Sequence, residues 1–166
     1  MLTFIMLVGL PASGKSTIRK RLADKYPYAV VLSTDDLVEA AAQETGNTYS
    51  GVFPSVIDMA TKKVEDLFDQ SVNLGIDIID DRTNLTRWRR TNKLETVIMR
   101  GGYNKVCIVV EVDEEERQKR MLERVGKTIP ADVDTRMRES WQRPTVEEGF
   151  DEIIDATELI FEAEGE

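Results

Sequence analysis

The segment GLPASGKS, Gly9 to Ser16, matches G-x-x-x-x-G-K-[ST] at every required position. It leaves an apolar run, Thr3 to Val8, and enters a helical pattern at Thr17. In that setting the glycines let backbone N–H groups turn inward around a phosphate, and the helix start adds partial positive charge. Lys15 is placed to reach β- and γ-phosphates, and the Ser16 hydroxyl to ligate Mg²⁺. The nucleotide set expected here is Gly9, Ala12, Ser13, Gly14, Lys15, Ser16 and Thr17.

A second group of chemically capable residues lies in STDDL, Ser33 to Leu37. Asp36, with Glu39 three residues on, reads as a capping-box variant for a helix beginning at Leu37. That leaves Asp35 unexplained at a strand exit, on the edge where the phosphate loop lies. A carboxylate there accepts a hydroxyl proton, or holds a metal-bound water, as a γ-phosphoryl group leaves ATP. The chain contains no histidine, so the usual general base is missing and an acid must serve.

The third apolar run ends in DDRTN, Asp80 to Asn84, at the same edge. Asp81 and Arg82 form an acid–base pair suited to orienting an acceptor, and Asn84 joins them as a substrate-side candidate. Thr83 or Asn84 also reads as a helix cap, and Arg87, Arg89 and Arg90 as the solvated face of the helix that follows. Further on, acids precede bases in EEERQKRMLERVGK, which suits a helix dipole. Arg120 and Arg124, one turn apart, would share a face of a mobile lid and neutralise phosphate oxygens.

These residues need a frame. Apolar, β-branched runs at Thr3 to Val8, Tyr28 to Leu32, Gly75 to Ile79, Lys105 to Val112 and Glu152 to Phe161 read as strands, most of them covered on both faces. Helical patterns fall between them at Ser16 to Lys25, Asp36 to Gln43, Pro54 to Leu74, Thr86 to Arg100, Glu114 to Arg124 and Val133 to Gln142. Gly75 and Gly101-Gly102 read as stops. This alternation predicts an α/β fold, a three-layer α/β/α sandwich with a central, mainly parallel five-stranded sheet. A single domain over residues 1–166 is expected, with a lid at about 114–130 and an acidic segment at 146–166.

Composition narrows the function classes. The chain's 166 residues are 41% hydrophobic and 32% charged, as in an ordinary globular protein. One cysteine, Cys107, excludes an internal disulfide and sits in an apolar run. The apolar opening is too short to span a bilayer and lacks a basic leader, so a cytoplasmic protein (host cytoplasm if phage-encoded) without membrane or evident protein partners is expected. The net charge of −9 opposes broad attraction to nucleic acid. Yet residues 146–166 hold nine acids and no Lys or Arg, enough to match the whole net charge. Local basic clusters at Arg87 to Arg90 and Arg117 to Lys127 leave room for a localised contact.

The order of GLPASGKST, STDDL, DDRTNLTRWRR and KRMLERVGKTIPADV resembles the kinase domain of the bacteriophage-type polynucleotide 5′-hydroxyl kinases, among the small P-loop kinases. EGFDEI, Glu148 to Ile153, looks like a segment in kinase domains of related animal DNA-repair enzymes. The resemblance implies a P-loop kinase fold, with Lys15 and Ser16 holding ATP–Mg²⁺ and Asp35 as general base. It also implies that Arg124 contacts the transferring phosphates, that Arg120 lies in the nucleotide-side lid, and that the acceptor is a nucleic acid. An acceptor-site acid is implied in DDRTN, where Asp81 or, with a one-residue shift, Arg82 takes that place. One position departs: the bacteriophage enzyme has an arginine for the acceptor's 3′-phosphate where this chain has Val38. Related phage kinases phosphorylate 5-hydroxymethyluracil within DNA, so that acceptor stays open. So do a small-molecule kinase and a non-catalytic P-loop switch.

Overall fold

The computed structural model describes residues 1–159. In chain order it contains β1 (Leu2–Val8), α1 (Lys15–Lys25), β2 (Val30–Leu32), α2 (Thr34–Thr45), α3 (Tyr49–Leu74) and β3 (Ile78–Asp80). There follow α4 (Arg87–Arg100), β4 (Tyr103–Val109), α5 (Glu114–Leu122), α6 (Ala131–Ser140) and β5 (Glu152–Asp155). The strands lie in the order β2-β3-β1-β4-β5, and every pairing is parallel. Phase is set by Met6, which lies opposite both Asp80 and Cys107.

Alternation along β1 divides the core. Phe4, Met6 and Val8 face Phe68 and Val72 of α3 and Leu94 of α4. Ile5 and Leu7 point the other way, towards Ile18 and Leu22 of α1. A third cluster, Val38, Ala42, Val52 and Ala60, seals α2 against α3. Both faces of the sheet are thus covered, which explains strands with few polar interruptions. Cys107 is fully buried, and burial pushes its thiol up to about 12. Among the described residues no helix is long and apolar enough to cross a membrane.

Several boundaries differ from the pattern, each for a local reason. Ser33, not Asp36, caps α2: its Oγ accepts from the Asp36 N–H at 3.2 Å, and the helix begins at Thr34. Asp35 and Asp36 therefore both sit in the first helical turn, where the dipole favours acids. α3 starts before Pro54, because Thr48 caps it by accepting from Gly51 N–H at 3.1 Å. Gly75 closes α3 with φ 68°, so the following strand starts only at Ile78. α5 stops at Leu122, leaving Arg124 beyond the helix rather than on a shared face with Arg120. The last strand is short; the expected run to Phe161 ends in residues 160–166, which lie outside the described residues.

Candidate active site

The carboxyl ends of β1, β2 and β3 all meet at the phosphate loop. Gly9 N–H donates to the Thr83 carbonyl at 3.1 Å, tying the loop to the segment after β3. A Cβ at Gly9 would stand 2.4 Å from the Val110 carbonyl oxygen, so only glycine lets the chain pass there. Gly14 (φ 104°) and Ala12 (φ 62°) take left-handed conformations. For alanine that is strained backbone, of the kind found where successive amides form an anion-binding nest. Lys15 folds back, donating to the Gly9 and Leu10 carbonyls at 2.9 and 3.2 Å. Burial lowers its pKa to about 8, and the charges of Asp81 and Asp35 oppose that shift. Ser16 and Thr17 are exposed at the start of α1, whereas Ser13 is buried and its Oγ has no hydrogen-bond partner.

Asp35 lies at the rim of this site, its side chain 59% exposed. Its Oδ1 accepts from the Tyr49 hydroxyl and its Oδ2 from Lys127 Nζ, both at 2.7 Å. Partial burial alone would raise its pKa; the hydrogen bonds from Lys127 and Tyr49 outweigh this and hold it below the usual carboxylate range. Asp36 turns away to Arg19 at 2.9 Å, and the same guanidinium nitrogen reaches Asp81 at 2.9 Å. Burial is the largest influence on Asp81, and it raises that carboxyl despite Arg19.

The rest of DDRTN is structural. Asp80 is fully buried and accepts from Arg82 at 2.8 Å and Lys93 at 2.9 Å. Arg82 is therefore committed to Asp80 rather than open to an acceptor. Asn84 is buried too, its amide donating to the Leu7 carbonyl at 2.9 Å while its carbonyl accepts from Lys93. It corrects the substrate-side expectation: Asn84 holds β1 to the loop, and Thr86 caps α4. Arg90 also departs from the solvated face expected for it. It is fully buried and bidentate to Glu148, with both bonds at 2.7 Å. Glu148 opens EGFDEI, so that segment supplies the partner of a buried arginine.

On the lid side, Arg120 Nη1 would be 3.6 Å from a Cβ at Gly14, directly beside the phosphate loop. Its Nε donates to Glu116 at 3.0 Å. The Arg124 side chain has no hydrogen-bond or ion-pair partner among the described residues, yet its charge acts on both Lys15 and Tyr49. Sequence reading missed Arg117 as a clamp. It is buried, pairs with Glu114 and Asp134, and donates to the Pro11 carbonyl at 3.1 Å. Its i,i+3 spacing from Glu114 was the available signal. Tyr49 and Lys127 carried no comparable signal, because they meet Asp35 only through the fold. Val38, at the departing position, is fully buried in the α2–α3 seam and faces no ligand space.

The arrangement offers an anion cradle, flanking cations and an ionised carboxylate within one electrostatic field. Similar frames occur in solved structures. A Chloroflexus aurantiacus protein assigned as a kinase matches with TM-score 0.68 and 17% identity, covering 93% of this chain and 84% of that one. A gluconokinase from Sinorhizobium meliloti matches with TM-score 0.56 and 18% identity, covering 92% and 81%. A chain of the Pnkp1/Rnl/Hen1 RNA repair complex matches with TM-score 0.62 and 23% identity, covering 84% of this chain but 43% of that one. At these identities the likeness is one of fold, that of the P-loop kinases. The sequence itself matches the family model described as AAA domain over residues 4–157, and the chain belongs to that family, AAA_33.

Proposed function

We propose that this protein is an ATP-dependent kinase that transfers the γ-phosphoryl group to a hydroxyl of a nucleic acid, most specifically a polynucleotide 5′-hydroxyl. The observation that carries this reading is Asp35: an exposed, ionised carboxylate whose charge acts on the phosphate-loop lysine. ATP fits the loop, where strained Ala12, left-handed Gly14 and the α1 N-terminus converge on one anion site. Mg²⁺ would be held by the Ser16 hydroxyl together with phosphate oxygens and a water on Asp35, and would supply charge neutralisation. Arg124, whose side chain is unpaired among the described residues, and Arg120, beside Gly14, are the lid cations for the phosphates.

In the transfer, the acceptor oxygen bonds to the γ-phosphorus while the bond to the β–γ bridging oxygen breaks. ADP departs with that electron pair, and the hydroxyl proton passes to Asp35. Because such chemistry is mostly positioning and charge neutralisation, one well-placed carboxylate suffices. Asp81, facing the same edge through Arg19, is the acceptor-side acid; Arg82 is spent on Asp80.

One feature supports a nucleic-acid acceptor over a small one. Trp88 is 71% exposed between exposed Arg87 and Arg89 at the start of α4, the chemistry of a single-strand stacking platform. A second reading, transfer to the hydroxymethyl group of 5-hydroxymethyluracil in DNA, is favoured by buried Val38, which leaves no arginine there for a terminal 3′-phosphate. The test offers γ-labelled ATP to 5′-hydroxyl DNA, 5′-hydroxyl RNA, hydroxymethyluracil DNA, nucleosides and small sugars in parallel. Label on 5′-hydroxyl strands is expected; label on sugars or nucleosides alone would refute the nucleic-acid acceptor.

A further inference from the structure

Lys127 links two parts of the molecule that the proposed reaction keeps separate. Its Nζ lies 2.7 Å from Asp35 Oδ2 and 4.2 Å from the centre of the Tyr49 ring, while Tyr49 donates to Asp35 Oδ1 at 2.7 Å. Each oxygen of the carboxylate therefore already has a short donor. A hydroxyl that is to give its proton to Asp35 meets a carboxylate whose basicity the ammonium beside it lowers.

The loop that carries Lys127 does not depend on this pair for its position. Ser50 N–H donates to the Gly126 carbonyl at 3.0 Å, and Thr128 N–H to Ser50 Oγ at 2.8 Å. Gly126 (φ 69°) packs close to Thr48, where an added Cβ would meet the Thr48 side chain at 3.1 Å. The backbone of the lid's end is thus clasped to the start of α3, so any change of partner by Lys127, whose side chain is 15% exposed, is a rotation of its four-carbon stem rather than a movement of the loop. Its charge acts on Lys15, so the phosphate site lies within its field.

We propose that Lys127 serves two anionic partners in turn: it holds Asp35 in the nucleotide-free protein and passes to the ATP phosphates when ATP binds, releasing an Asp35 oxygen for the acceptor hydroxyl. The assignment rests on reading Asp35 as the base. A triphosphate offers more charge than one carboxylate, and the Asp35 side of the pair is well exposed, so water can take the place that Lys127 leaves. Tyr49 keeps its hydrogen bond throughout and is the positioning residue for the carboxylate. Acceptor engagement would then follow nucleotide binding, a coupling that is reciprocal between the two ligands.

The test needs no acceptor, so an error in the acceptor's identity leaves it intact. Calorimetry in the presence of EDTA, which keeps the metal water on Asp35 out of the comparison, measures binding of metal-free β,γ-imido-ATP to the wild type, Asp35→Asn, Lys127→Met and the double variant. Removing the Asp35 charge tightens nucleotide binding in any background. If Lys127 is exchanged, that tightening is about two- to fivefold larger with Lys127 present than in Lys127→Met, the scale of one partly exposed pair. Lys127→Arg should restore the difference in part. Equal tightening in both backgrounds, with circular dichroism showing all proteins folded, would overturn the proposal.

Discussion

Two Asp–Asp pairs end neighbouring strands, and they have been put to opposite uses. After β3, Asp80 is sealed among Arg82, Lys93 and the Asn84 segment, while Asp81 shares Arg19. After β2, neither acid is buried: Asp36 shares that same Arg19, and Asp35 is held by a lid lysine and a tyrosine hydroxyl. Burial separates the pairs. A carboxylate that has lost its water must keep its partners, whereas one at a rim can trade them for a ligand. The Arg19 bridge explains why both pairs point at one place without both doing chemistry.

That contrast can be broken at its strongest point first. Asp35→Asn should lower phosphoryl transfer by about 10²- to 10⁴-fold, the worth of a general base, while its thermal unfolding midpoint stays at the wild-type value. Asp80→Asn should do the reverse. It leaves Arg82 and Lys93 without their buried counter-charge and should cost about 3–5 kcal/mol in urea unfolding. The sign with pH follows from the direction of the shift: Asp80's partners depress its pKa in the folded state. Its stabilisation is therefore present above the unfolded value of about 3.9 and is lost as pH falls through the folded one. The gap between wild type and Asp80→Asn should narrow only in acid.

Arg124→Ala comes next. Because that side chain has no partner to abandon among the described residues, kcat should fall by about 10²-fold with no loss of stability; an unchanged kcat would remove it from the phosphate site. Asp36→Ala is the smallest case. It should cost no more than about 1 kcal/mol in stability, since its pair with Arg19 is exposed and Asp81 still holds that arginine.

The frame was legible because it repeats a few strong signals. Apolar runs, the glycine stops at 75 and 101, and the phosphate-loop spacing located five strands and six helices, with the largest displacements at the start of α3, Tyr49 rather than Pro54, and at the end of β5, Asp155 rather than Phe161. Ends were displaced where a side-chain cap decided the matter, as at Ser33 and Thr48, since hydroxyl caps are weaker signals than proline or glycine. Within the site, Lys15, Asp35 and Arg120 lie around the phosphate loop, and their roles there are proposals. Arg82, Asn84 and Arg90 are taken up by internal partners, because burial is decided by distant neighbours: Glu148 lies far along the chain from Arg90, and nothing local to RWRR reveals it. Tyr49 and Lys127 were hidden for the same reason, since the α3 start and the lid's end meet only in three dimensions.

The most direct measurement is the position of the transferred label. After transfer from γ-labelled ATP to mixed 5′-hydroxyl and hydroxymethyluracil DNA, complete nuclease digestion separates terminal 5′-nucleotides from nucleotides phosphorylated on the base. Label in terminal 5′-nucleotides, lost in Asp35→Asn and kept in Asp36→Asn, is the predicted result. Label on the interior base alone, or transfer that persists in Asp35→Asn, would contradict the account.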